Sequence, residues 1–168
     1  MAHTLDLIAA WIAHTGIGAP MKSLVWLWPM CETLHFIGLA LLIGVAGLFD
    51  LRMLGFVRRV SLASVMELRP WAALGLGINL VTGVMFFLGA PDQYVHNPAW
   101  WAKIAFILIA GPNILAFELS PRAKALVEEV GPGDNTPLRL KFAGGISLFS
   151  WFAVLYFGRM LPFIGTAF

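Results

Sequence analysis

Four ionisable side chains stand in stretches of sequence that are otherwise apolar: Glu32, His35, Lys103 and Arg159. Such groups are costly to keep in hydrocarbon, so each is a candidate for function by default. Glu32 and His35 are three residues apart, which puts them on one face of a helix. A lone glutamate there needs a partner, and pairing with Lys103 or Arg159 is expected. One reading is an ion pair that locks three helices together, with His35 as a hydrogen-bonding accessory. The other is a site built around a neutral imidazole with cations beside it. Haem b fits such a site, with His35 on the iron and Lys103 and Arg159 on the propionates. A quinone fits it too, with His35 and Glu32 handling protons and the cations on a quinone oxygen. Asn79 and Asn113 are either interhelical packing glue or further contacts to the ligand. His96 and Met85 are the candidates for a sixth iron ligand.

Copper is a further alternative. Met21, Met30, Cys31, His14, His35 and His96 are all expected on the same side of the membrane, and sulfur and imidazole suit that metal. Cys31 and His35 are one helical turn apart, but no Met-x-x-Met or His-x-His spacing accompanies them. Glu-x-x-His occurs once, at Glu32 and His35, whereas a carboxylate-bridged di-metal bundle needs two copies and two further glutamates. Glu67 and Glu118 are expected at the opposite side. Asp50 and Arg52, at the inner end of the first long stretch, read as interfacial charges, with Arg52 as an alternative headgroup anchor. No phosphate loop, dinucleotide fingerprint or nucleophile elbow is present.

These residues need elements to position them, and the composition says which. The chain has 168 residues, of which 60% are hydrophobic and 12% charged, with a mean hydropathy of +0.83. A soluble domain carries about 25% charged residues. Half that number cannot cover a water-facing surface, which excludes a soluble enzyme, a disordered chain and a nucleic-acid binder. The single cysteine, Cys31, allows no intrachain disulfide. The first residues lack a basic n-region and do not read as a cleaved signal peptide.

A bilayer core needs about 20 apolar helical residues. Four stretches qualify, at 25–49, 71–89, 98–117 and 142–162. Arg52, Arg58, Arg59 and Arg69 lie between the first two, and Arg122, Lys124, Arg139 and Lys141 between the last two, against Lys22, Lys103 and Arg159 elsewhere. Eight against three places both basic loops in the cytoplasm and both termini outside it. Trp26, Trp28, Trp100 and Trp101 mark the outer interface and Trp71 the inner one. Entering near Val25, the chain reaches His35 at a depth of about 15 Å. Short interfacial helices are expected around Leu5, Ile8, Trp11 and Ile12, and after Ser120-Pro121 with Leu126, Val127 and Val130 as its apolar face. Ser64-x-x-Glu67 has capping-box spacing before the second span. Close packing is expected at Gly75, Asn79 and Gly83, at Ala40 and Gly44, at Ala102, Phe106, Ala110 and Asn113, and at Ala143, Ser147 and Ser150. Pro112 is expected to kink the third span.

The runs Trp28-Pro29-x-x-Glu32-x-x-His35-Phe36-x-Gly38, Leu48-Phe49-Asp50-Leu51-Arg52-x-Leu54-Gly55, Asn97-Pro98-Ala99-x-x-x-Lys103 and Gly158-Arg159 resemble an uncharacterised family of small bacterial four-helix inner-membrane proteins, over nearly the whole chain. That family is distantly similar to copper-resistance-D-like membrane proteins and to four-helix haem-linked protoporphyrinogen oxidases. The second likeness implies a haem-associated histidine on the first span and a lysine on the third, where His35 and Lys103 stand. Those oxidases carry a further histidine in the third helix, where this chain has Asn113 and Glu118.

The expectation is therefore an all-α integral membrane protein, a single four-helix transmembrane bundle with short interfacial helices, in a bacterial inner membrane with both termini periplasmic. The leading function is a redox protein binding haem b or a quinone in the outer half of the bundle, as a subunit working with other membrane or periplasmic redox proteins. The alternative is a non-enzymatic structural or copper-handling component. A solute transporter or channel is disfavoured, because no inverted repeat is visible.

Overall fold

Long apolar runs leave the backbone few ways to satisfy its own polar groups away from water, and the helix is the simplest. The computed structural model describes residues 2–164, and across them the chain forms helices and turns and no strand. In order these are α1 (Ala2–His14), α2 (Ala19–Ser23), α3 (Leu27–Leu54), α4 (Leu62–Met66), α5 (Arg69–Gly89), α6 (Pro91–Val95), α7 (Pro98–Glu118), α8 (Pro121–Glu129) and α9 (Leu138–Met160). The helices α3, α5, α7 and α9 are long and apolar enough to cross a membrane. Phe36, Val81, Leu108 and Phe149, one from each, are 63–67% exposed, as side chains facing lipid would be.

The limits of these helices follow local chemistry. Asn97 accepts from the Ala99 N–H and precedes Pro98 at the first position of α7. Ser120 accepts from Ala123 N–H and precedes Pro121 of α8. The expected cap at Ser64 lies elsewhere: Ser61 accepts from the Ser64 N–H and starts α4, and Glu67 sits at that helix's C-cap. The first long helix also runs on to Leu54, past the expected Phe49, and stops at Gly55 with φ +97°, a left-handed cap that glycine adopts without strain. α7 continues through Pro112 to Glu118.

The four long helices pack in the order α5–α3–α9–α7, and α5 and α7 do not close on each other. Backbone approach between α3 and α5 is at Gly38 and Gly75. A Cβ on Gly75 would lie 2.6 Å from the Gly38 carbonyl oxygen, and one on Gly38 would lie 2.5 Å from Asn79 Nδ2. Gly144 of α9 meets α3 at Met53 and the Asp50 carbonyl, with its would-be Cβ 2.8 Å from Met53 Cβ. Ala40 and Gly44, expected at a crossing, are instead exposed. The seam of α3 runs through Cys31, His35, Gly38 and Leu42, at three- and four-residue spacing, and a pair two residues out of step faces away from it.

The two ends of the bundle are built differently. At one end α1 packs on α6 and α2 on α5, with Asp6 and His96 paired at 2.9 Å. At the other end the two basic loops knit together. Leu62 N–H donates to Val130 O, and Gly133 N–H donates to Arg58 O. Arg52 is fully buried and donates to Val60 O at 2.7 Å, Gly131 O at 2.8 Å and Thr136 Oγ1 at 3.2 Å. It ties loops together and is shut off from a lipid headgroup by its burial, which corrects the interfacial reading. Val127 and Val130 are likewise buried in a core with Met53, Leu62 and Leu140. They pack on protein where lipid was expected, because α4 lies across α8.

Candidate functional site

The seam that brings Gly38 against α5 also turns His35 toward α5. His35 Nδ1 lies 2.7 Å from Thr82 Oγ1, and Thr82 Oγ1 lies 2.7 Å from the Ile78 carbonyl one turn back. A hydroxyl has one proton to give. Thr82 gives it to Ile78, so the imidazole donates through Nδ1, and Nε2 is the open nitrogen, as assigned from this network. The Phe86 ring packs on the imidazole, with centroids 5.6 Å apart. Gly83 lies against the ring's Cε1 and has no other neighbour where a side chain would be.

Lys103 reaches this place from α7. Its half-buried side chain passes over Gly158 of α9, with Nζ 3.5 Å from where a Cβ on that glycine would be, and its charge acts on His35. Among the described residues Lys103 forms no ion pair. Asn79 stands one turn from Thr82 on α5. Its Nδ2 donates to Gly75 O at 2.8 Å and its Oδ1 is buried without a partner. His35, Thr82 and Asn79 therefore form one polar set, on which the charge of Lys103 acts from α7.

Glu32 and Arg159 stand apart from it. Glu32 is exposed and accepts from Trp28 Nε1 at 3.1 Å. It also faces Tyr94 of α6, whose phenol is pushed up to about 12 by burial and then by the Glu32 carboxylate. Arg159 is exposed and lies over Phe163, 5.3 Å from the ring centroid. The expected pairing of Glu32 with Lys103 or Arg159 is not formed. Three residues from His35 leave Glu32 about 60° round the helix, off the buried seam. Asn113 lies elsewhere again, donating from α7 to Ala143 O of α9 at 3.2 Å.

Of the sulfur ligands, Cys31 and Met85 meet, with Sγ and Sδ 3.7 Å apart, and Met21 packs in the same cluster. Met30, His14 and His96 are exposed. Among the described residues no three His, Cys, Asp or Glu side chains gather as a metal-binding group.

A second polar place lies toward the basic loops, where α5 and α7 stand apart. A cavity of about 130 Å³ opens over α3 and α9, lined by Phe49, Asp50, Asn113, Phe117, Ser147 and Trp151 among others. Asp50 is 2% exposed and Trp151 4%. Asp50 Oδ2 and Trp151 Nε1 are both buried without a hydrogen-bond partner. Arg69 and Glu118 also line this cavity; they pair at 3.4 Å, and Lys124 reaches the same carboxylate oxygen at 3.1 Å.

A family model described as "Family of unknown function (DUF6644)" matches residues 18–164. The chain belongs to the DUF6644 family. No curated protein and no solved structure matches it. The DUF6644 match spans both polar places and begins after α1. Within this DUF6644 chain, sequence reasoning missed Thr82, Ser147 and Trp151 as site residues and underrated Asp50. Thr82 was within reach, because it continues the Gly75–Asn79 face by one helical step. Trp151 was within reach as a tryptophan in the middle of a span, away from the interfaces where such rings gather.

Proposed function

We propose that this protein is a redox membrane protein that holds haem b through His35 Nε2. The observation that carries the reading is the chain from His35 Nδ1 to Thr82 to the Ile78 carbonyl. Metal-bound imidazoles are oriented in this way, with one ring nitrogen donating to a fixed acceptor and the other free for the metal. Residues around His35 suit a flat anionic group. Gly83 places no side chain beside the imidazole, Gly158 places none beside Lys103, and among the described residues Lys103 is a cation without an ion-pair partner. When bound, the haem would supply one-electron transfer. Thr82 would fix the imidazole, Lys103 would bind a propionate, and Asn79 Oδ1 would offer an acceptor at the edge. Arg159, at the end of α9, would reach a propionate only by leaving Phe163. A quinone oxygen at His35 and Lys103 is the same site with a different occupant.

In this reading the basic loops face the cytoplasm of a bacterial cell, and both termini face the periplasm. His35 then lies in the outer half of the inner membrane, where another membrane or periplasmic redox subunit would exchange electrons with it. The distant likeness to haem-linked oxidases, through His35 and Lys103, points the same way. A second reading, copper handling, rests on the Cys31–Met85 sulfur pair with Met21 beside it.

The test is an absorption spectrum of protein purified in mild detergent after haem-supplemented expression, with metal analysis of the same sample. Haem binding gives a Soret band that His35→Ala abolishes. Stoichiometric copper with no Soret band, lost in Cys31→Ser, supports the second reading instead. Neither haem nor copper in a folded sample overturns both.

A further inference from the structure

The cavity at Asp50 is separate from the His35 place, and its polar atoms pose a problem of their own. Nearly all buried polar groups in proteins find a hydrogen-bond partner, and each exception needs an explanation. Here two exceptions line one cavity: the Asp50 carboxyl through Oδ2 and the Trp151 indole through Nε1. Neither is a surface accident, since both residues are over nine-tenths buried. The contrast with Arg52, two residues along the same helix and met by three acceptors, shows that this end of the bundle does satisfy its buried charges.

The cavity is open on one side, so its volume sets the size of the part of an occupant that it encloses. About 130 Å³ is close to the cavity of about 150 Å³ that takes up one benzene, so the space holds a single six-membered ring. Phe49 and Phe117, edge to face at 5.5 Å, and Trp151 give that ring aromatic walls. The backbone positions that carry the two unmatched groups lie at different levels. Ser147 faces Asp50, and Trp151 is one turn farther along α9, a rise of about 6 Å. A ligand that meets both must carry a polar atom at each end of the ring. An ammonium would answer Asp50 but leave the indole N–H unmatched. Water needs two to four polar partners for each molecule, and most of this lining is apolar. Between α5 and α7, which are bridged by the Arg69–Glu118 pair and otherwise stand apart, the cavity leaves a way out for an apolar tail.

The geometry points to a binding site for the head of a lipid-soluble 1,4-dioxygenated ring, of the quinone and quinol class, between Asp50 and Trp151. One ring oxygen is held at the Asp50 carboxyl and the other accepts from Trp151 Nε1. Asp50 serves either redox form. It accepts from a quinol hydroxyl as the carboxylate, or donates to a quinone carbonyl as the acid. The site stands without the haem reading, because it shares no residue with the His35 set.

The experiment titrates a decyl-tailed benzoquinone into the full-length protein in lipid nanodiscs and follows tryptophan fluorescence, with protein-free discs as the partition control. We expect saturable quenching above that control. Asp50→Asn and Trp151→Phe should each weaken binding at least tenfold, and a decyl-tailed benzene lacking both oxygens should bind at least tenfold more weakly. Ala72→Leu fills the cavity from α5 without touching a polar group and should abolish binding, which keeps the test decisive if Asp50→Asn does not fold. Gly44→Ala, in open space away from both polar places, should leave the titration unchanged. Quenching no greater than partition overturns the proposal, as does equal binding of the two probes. Binding lost in His35→Ala but kept in Asp50→Asn and Ala72→Leu overturns it too and puts the ring at the other site.

Discussion

His35 and Asp50 lie on one helix, 15 residues apart, and the protein treats them in opposite ways. It meets half of the imidazole, through Thr82, and leaves the other nitrogen open, with the charge of Lys103, unpaired among the described residues, acting on the ring. It buries the carboxyl almost completely and supplies no partner for Oδ2. Arg52, two residues beyond, is as buried as Asp50 and meets an acceptor at each of its three nitrogens. Burial alone therefore does not separate a structural charge from a site. What separates them is whether the protein completes the hydrogen bonds, since an unanswered buried group costs free energy that a ligand can recover.

That contrast can be broken most sharply at Arg52. Arg52→Ala leaves the Val60 and Gly131 carbonyls and the Thr136 hydroxyl without their donor, and should cost about 3 kcal/mol of stability. Asp50→Asn removes no partner at Oδ2 and should change stability by less than about 1 kcal/mol. Unfolding in detergent followed by circular dichroism compares the two, and equal losses would erase the distinction. Next in size is Gly75→Ala, whose new methyl meets the Gly38 carbonyl and Leu42 N and should cost about 2 kcal/mol. Gly44→Ala, with nothing near it, should be neutral in the same assay. Thr82→Val should cost only about 1 kcal/mol, yet lower haem occupancy about 10- to 100-fold by freeing the imidazole to turn.

The smallest effect concerns the end of the bundle near α6. The Tyr94 phenol is held at about 12, above its ordinary 10, by burial and by Glu32. The folded protein thus holds this proton more tightly than the unfolded chain. The stability it contributes is whole below pH 10 and is lost as pH rises through 12. Tyr94→Phe should flatten that alkaline decline in pH-dependent melts, and an unchanged profile would remove Tyr94 from the account.

The bundle was legible in the sequence because a bilayer admits few backbone solutions, and the runs of apolar residues are long. The partners of the site were not, because they depend on helix rotation. A shift from Gly44 to Gly38 as the contact on α3 decides that His35 faces Thr82 and that Glu32 faces Trp28 and Tyr94. Length mattered as well. Ending the first span at Phe49 puts Asp50 and Arg52 in the interface, whereas continuing to Leu54 buries both. The apolar face of α8 was legible as apolar, but no periodicity tells lipid from the underside of α4.

The functional reading hangs on Nε2 of His35 being the open position. Nitrogen-15 NMR of histidine-labelled, cofactor-free protein, with His35→Asn to assign the signal, tests this most directly. The account predicts a neutral ring protonated at Nδ1, and a tautomer change in Thr82→Val. A ring protonated at Nε2 in the unaltered protein would contradict it.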